Sequence, residues 1–179
     1  ARARISSRLE EEKPQPNIQR LLKQWRKDQQ PGRAIQWAQL HASYIKQLPE
    51  AQQKILHEFQ DTYNRSMMIS DKLRAMGLKG VAELTRSTAV RAKEYFLCQD
   101  EEGLLRLLAG LQKHHDQEQA TLFVQLVQGY LSELHNKQKE AIEFYQAITE
   151  GPIHIDALMR LFELHIKTEN INAGLDTLK

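Results

Sequence analysis

Residues 120–152, ATLFVQLVQGYLSELHNKQKEAIEFYQAITEGP, decide how the rest of the chain reads. Leu122, Leu126, Tyr130 and Leu134 recur at every fourth position, with Val127 and Leu131 beside them. That is the apolar stripe of a helix with one buried face. His135-Asn136-Lys137-Gln138-Lys139 has nothing apolar to bury and reads as a turn. Ala141, Ile142, Tyr145 and Ile148 then repeat the spacing, and Gly151-Pro152 closes it, since proline has no amide hydrogen with which to continue a helix. One such hairpin cannot bury its own stripe. It needs neighbours.

The stretch resembles a tetratricopeptide repeat, a helix–turn–helix unit of about 34 residues. In that family a small residue of the first helix faces an alanine twelve positions on, an aromatic follows by four, and a proline closes the unit. Gly129, Ala141 and Tyr145 match, and Pro152 falls one position early. Gln125 stands where the family has an aromatic, and Ser132 where it has a tyrosine. The same local pattern recurs around Ala34, Ile69, Leu104, Ala141 and Gly174, at gaps of 35, 35, 37 and 33 residues. The resemblance implies an all-α fold, an α-solenoid (a right-handed superhelix) of about five stacked hairpins. It would span residues 18–179 and be truncated in its last hairpin.

Composition agrees with helix. Only eight glycines and five prolines occur in 179 residues, and no alternating run bounded by turns marks a strand. The single cysteine, Cys98, leaves no internal disulfide and no cysteine metal cluster. Within EYFLCQ it reads as a small core residue, with a reactive thiol as the less favoured alternative. No apolar run approaches the ~20 residues of a membrane-spanning helix, and no signal peptide is visible, so a cytoplasmic location is expected. The net charge of +2 is uneven: residues 1–33 hold nine Lys/Arg against four Asp/Glu. Residues 1–17 read as a basic, flexible lead-in, broken by Pro14 and Pro16.

In order along the chain, the first hairpin carries Ile18, Leu21, Leu22 and Trp25, turns at Pro31-Gly32, and returns over residues 33–48 with Trp37 in its apolar face. Pro49 opens the second. It places Ala51, Ile55, Phe59 and Tyr63 at fourth-residue spacing, then Met67, Met68 and Ile69, and ends at Gly77 and Gly80. The methionines suit either core filling or an adaptable surface. The third spans about residues 81–113 with a turn at Gln99–Glu102. The fifth follows Pro152 and turns at Thr168-Glu169-Asn170.

Catalytic patterns are not found. The glycines form no phosphate loop, and His57-Glu58 lacks a second histidine because position 61 is Asp61. His114-His115-Asp116 suits a polar turn. His154, Asp156 and His165 form a weak metal alternative to capping and surface roles. The expectation is a non-enzyme without a cofactor.

If the resemblance holds, the first helices line a concave groove that takes a peptide or partner helix. Its walls would be Lys23, Arg26 and Lys27, then Lys54, Glu58 and Asp61, then Arg86, Lys93 and Phe96. Phe123, Leu126 and Tyr130 would follow, then Met159 and Glu163. Such a groove is basic at one end and apolar in the middle, and suits a protein or peptide with acidic side chains. An ordinary wet surface is the competing reading of these lysines and arginines. The favoured function is a protein–protein scaffold or adaptor. Alternatives are a ligand- or peptide-sensing domain of a transcriptional regulator and, less favoured, nucleic-acid binding through the basic N-terminal third. An exposed seam at the last hairpin would favour homo-oligomers.

Overall fold

The computed structural model describes residues 18–27, 36, 39, 41–113 and 118–177, and every regular element among them is a helix. The all-α expectation holds. The chain divides into two compact units, Ala1–Leu56 and His57–Lys179, each described by itself.

The first unit contains α1 (Ile18–Lys27), α2 (Ala42–Ile45) and the first turns of α3 (Glu50–Ala75). Ile18 and Leu22, one helical turn apart, are buried, as are Ile45, Leu48 and Leu56. The Ile18 amide, one of the donors that a helix start leaves without an intrahelical partner, donates to the Gln52 side-chain oxygen at 3.4 Å. The Pro49 carbonyl accepts from the Gln52 and Gln53 amides, so the proline sits where its missing amide hydrogen costs nothing. The Pro31-Gly32 turn, the basic lead-in and the side chains of Trp25 and Trp37 lie outside the described residues.

The second hairpin expected from the sequence is absent: α3 is one unbroken helix of 26 residues. Neither glycine nor proline interrupts it, and Glu50 in its first turn with Lys72 and Arg74 in its last suit the helix dipole. It stops at Gly77, whose φ of +82° is open to glycine at little cost. The Gly77 and Leu78 amides bond back to the Arg74 and Leu73 carbonyls at 3.0 and 2.9 Å.

The other hairpins of this unit form where the sequence places them. They are α4 (Lys79–Leu97) with α5 (Glu101–Gln112), α6 (Glu118–Leu134) with α7 (Gln138–Gln146), and α8 (His154–Lys167) with α9 (Ile171–Thr177). Each turns on a non-glycine residue in the left-handed region: Gln99 (φ 53°), Asn136 (φ 59°) and Glu169 (φ 58°). Each repeats one bonding pattern, as when Asn136 and Lys137 donate to Glu133 and Ser132 at 3.0 and 2.8 Å. These turns lie 37 and 33 residues apart. Gln and Glu are strained at positive φ, so Gln99→Gly and Glu169→Gly should each stabilise the protein by up to about 1 kcal/mol. A lowered melting temperature for both would contradict that reading.

The core between these helices is built from Phe123, Leu126 and Tyr130 of α6, Leu104 and Leu111 of α5, and Ala157 and Leu161 of α8. Gly129 sets how closely α6 and α7 approach. A Cβ there would lie 2.7 Å from Cζ of the Tyr145 ring, well inside van der Waals contact. Cys98, at the end of α4, is buried.

Candidate functional site

The first helices of the three pairs, α4, α6 and α8, are linked by charged and aromatic side chains. Phe96 of α4 stacks on Tyr130 of α6, with ring centroids 4.5 Å apart and planes 15° from parallel. Arg160 of α8 lies over the Phe96 ring at 4.8 Å. Its guanidinium holds Glu133 of α6 with two bonds, Nε to Oε1 at 2.9 Å and Nη2 to Oε2 at 2.5 Å. Nη1 reaches Glu163 at 2.9 Å. The planar fork of arginine fits a carboxylate in this two-bond way, which fixes direction as well as distance.

Two acidic groups extend the cluster. The Lys93 ammonium of α4 is 3.1 Å from Glu58 Oε2, and the same oxygen is 4.0 Å from Arg160 Nη1. Asp156, one turn before Arg160, pairs with Arg65 at 2.7 Å. Glu58 and Arg65 both belong to α3. The Arg160 and Glu133 side chains are only 4% and 7% exposed. Charges so far from water are costly unless each finds its partner, which is why the bonds are so many and so short.

Titration follows from the same geometry. Burial lowers the Lys93 pKa, helped by the Arg160 charge and countered by Glu58. Burial pulls Arg160 down too, but its bonds to Glu133 and the charges of Glu133 and Glu163 more than reverse this, so it stays charged. Burial pushes the Tyr130 phenol well above its usual range, with Asp156 and Glu133 adding to it. Burial and then Glu133 do the same to Tyr145, whose hydroxyl donates to Glu133 Oε1 at 2.7 Å.

For the tyrosines the folded pKa exceeds the unfolded one. Their contribution is complete below about pH 10 and is lost as pH rises above it, each at about 1.4 kcal/mol per pH unit. Lys93 runs the other way, since its folded pKa is lowered, but the rise it gives ends near its unfolded pKa of about 10.4 and does not oppose a fall above that pH. Denaturant midpoints should therefore fall above about pH 10, and Tyr130→Phe or Tyr145→Phe should flatten the fall. Midpoints that rise through that range would contradict the assignment.

Of the residues singled out from the sequence, Glu58, Lys93, Phe96 and Tyr130 come together here, with Glu163 beside them. Tyr130, Phe123 and Leu126 are fully buried, and all three belong to the hydrophobic core. They support the face from beneath, because the stripe that turns a helix inward also hides it. Arg86 is exposed and pairs with Glu83 at 2.7 Å. Lys23 and Lys54 are exposed in the first unit, while the side chains of Arg26 and Lys27 lie outside the described residues.

Arg160, Glu133 and Arg65 are the members that sequence reading misses. Glu133 lies three residues beyond Tyr130, and Arg160 three before Glu163, so both share a helix face with a residue already singled out. Of the weak metal alternative, Asp156 is bound to Arg65, and His154 Nδ1 is 2.7 Å from the Ile148 carbonyl. Among the described residues no group of three His, Cys, Asp or Glu is placed to hold a metal ion, and no helix is long and apolar enough to cross a membrane.

Elsewhere in this unit, α8 exposes Ile155, Met159 and Ile166, and α9 exposes Leu175. An open cleft of about 540 Å³ is lined by Ile148, His154, Leu158 and His165 among others. No family model, curated protein or solved structure matches the chain.

Proposed function

We propose that the chain is a protein–protein interaction scaffold, and that the face made by α4, α6 and α8 receives a segment of a partner. The supporting observation is the Arg160 cluster, in which side chains of three successive hairpins converge on one charged, aromatic-floored site. Buried ion pairs are often no better for stability than the apolar residues they displace. Their well-attested use is to fix the register and identity of whatever packs on them. A face built this way discriminates among segments by charge placement.

The test compares capture by the immobilised native chain with capture by the Lys93→Gln, Glu163→Gln double variant. The expected result is one defined protein retained by the native chain and reduced about tenfold or more by the variant, at an unaltered fold by circular dichroism. Equal capture by both would remove the site. A co-purifying small molecule, with no protein captured, would overturn the scaffold reading in favour of a ligand-sensing domain.

A further inference from the structure

We propose that residues 57–75 of α3 are a built-in, detachable occupant of the α4–α6–α8 face, and that the partner displacing them is a helix with a carboxylate and a guanidinium seven residues apart. The proposal deepens the scaffold reading and rests on it.

Residues of α3 supply the two ion pairs that close the site: Glu58 to Lys93 and, at 4.0 Å, Arg160, and Arg65 to Asp156. Glu58 and Arg65 are seven positions apart, close to two turns, so they share one side of the helix over about 10 Å. Asp156 precedes Arg160 by four, so this stretch of α3 runs antiparallel to α8 with its charges matched in order. That is a recognition pattern, and a helix from another chain can reproduce it.

The seat is built to be left. Beyond Phe59, the fully buried residues of this stretch are Thr62, Ser66 and Ser70. Large apolar groups fill the equivalent places on α6, namely Phe123, Leu126 and Tyr130. Small hydroxyl side chains remove little apolar surface from water, so exposing them costs little. Two polar atoms of the seat, Arg65 Nε and Ser70 Oγ, are buried with no hydrogen-bond partner, and water would satisfy both on release. The connection to α4 is open enough to serve as a hinge: residues 76–80 are all exposed, and Gly77 and Gly80 have open space around them.

The experiment uses the whole chain. Arg65→Glu sets a carboxylate against Asp156 and should speed amide exchange across residues 57–75 about tenfold to hundredfold, leaving α6 and α8 protected. Arg65→Gln and Glu58→Gln should give smaller increases confined to the same stretch. The binding probe is a fluorescein-labelled peptide with the sequence of residues 57–75, followed by anisotropy. Its apparent affinity should rise across these variants by the same factor as the opening, since only the vacated face can bind. The same peptide with Glu58 and Arg65 exchanged should fail to bind.

Unchanged exchange in Arg65→Glu would overturn the detachable occupant. Loss of protection throughout the second unit in Arg65→Gln as well as Arg65→Glu would do the same, by making α3 part of the core. Selective opening with no peptide bound would leave the helix detachable but overturn the partner class, while the scaffold reading is decided separately by the capture experiment.

Discussion

Arg160→Met should destabilise the protein by about 3–5 kcal/mol, the typical result of removing one member of a buried ion pair. The loss has little to do with the arginine itself. Glu133, 7% exposed, would keep its charge and its bond from Tyr145 but lose both guanidinium bonds. Glu163 would also lose its Arg160 bond, though at 27% exposure it can turn to water. Methionine matches the arginine stem in length and would still cover Phe96, so little of the effect is lost packing. The double variant Arg160→Met, Glu133→Met should recover most of the stability, because no charge is then stranded. Urea unfolding of the three proteins checks both statements. A single-variant loss under about 1 kcal/mol would mean the pair is wetter than its geometry implies.

Gly129→Val should be the second severe substitution. A Cβ at this position already overlaps the Tyr145 ring, and the tyrosine cannot retreat while its hydroxyl is held by Glu133. Overpacking of this kind costs about 1–3 kcal/mol and more where the neighbour is fixed. β-Branching adds a further methyl to the clash. Gly110 is the control: it lies in the helix α5 with nothing within 4 Å of its would-be Cβ. Gly110→Ala should stabilise by about 0.5–1 kcal/mol, the ordinary gain of alanine over glycine in a helix. Melting temperatures that move in the same direction for both glycines would contradict the close crossing of α6 and α7.

The hairpin over residues 120–152 is legible because its signals are local. The fourth-residue stripe, the polar turn and the Gly151-Pro152 stop all lie within one short window, and α6 and α7 form there. The second hairpin fails for the same reason in reverse. The Ile69 marker keeps the period, yet no glycine or proline near it can turn the chain, and α3 runs straight through. The turns at Gln99 and Glu169 are legible as polar breaks between stripes, although neither residue announces a positive φ as glycine does.

The site divides along the same line. Lys93 and Phe96 are singled out by the repeat resemblance, as groove positions, and both join the Arg160 cluster. Arg160 with Glu133, 27 residues apart, and Arg65 with Asp156, 91 apart, are contacts between distant helices that no local spacing encodes. Long-range ion pairs become visible only when the helices that carry them are packed. Tyr130 is placed in the buried stripe by periodicity and on the groove by the repeat resemblance, and it is buried, stacked on the Phe96 ring.

Native-state hydrogen exchange on the unmodified chain tests the central claim most directly, because it needs no variant and no partner. Amides of residues 57–75 should exchange through an opening that leaves α6 protected, at a free energy below that of global unfolding. If residues 57–75 and 118–134 instead share one opening free energy across denaturant concentrations, α3 is a fixed part of the fold and the face is not available to a partner helix.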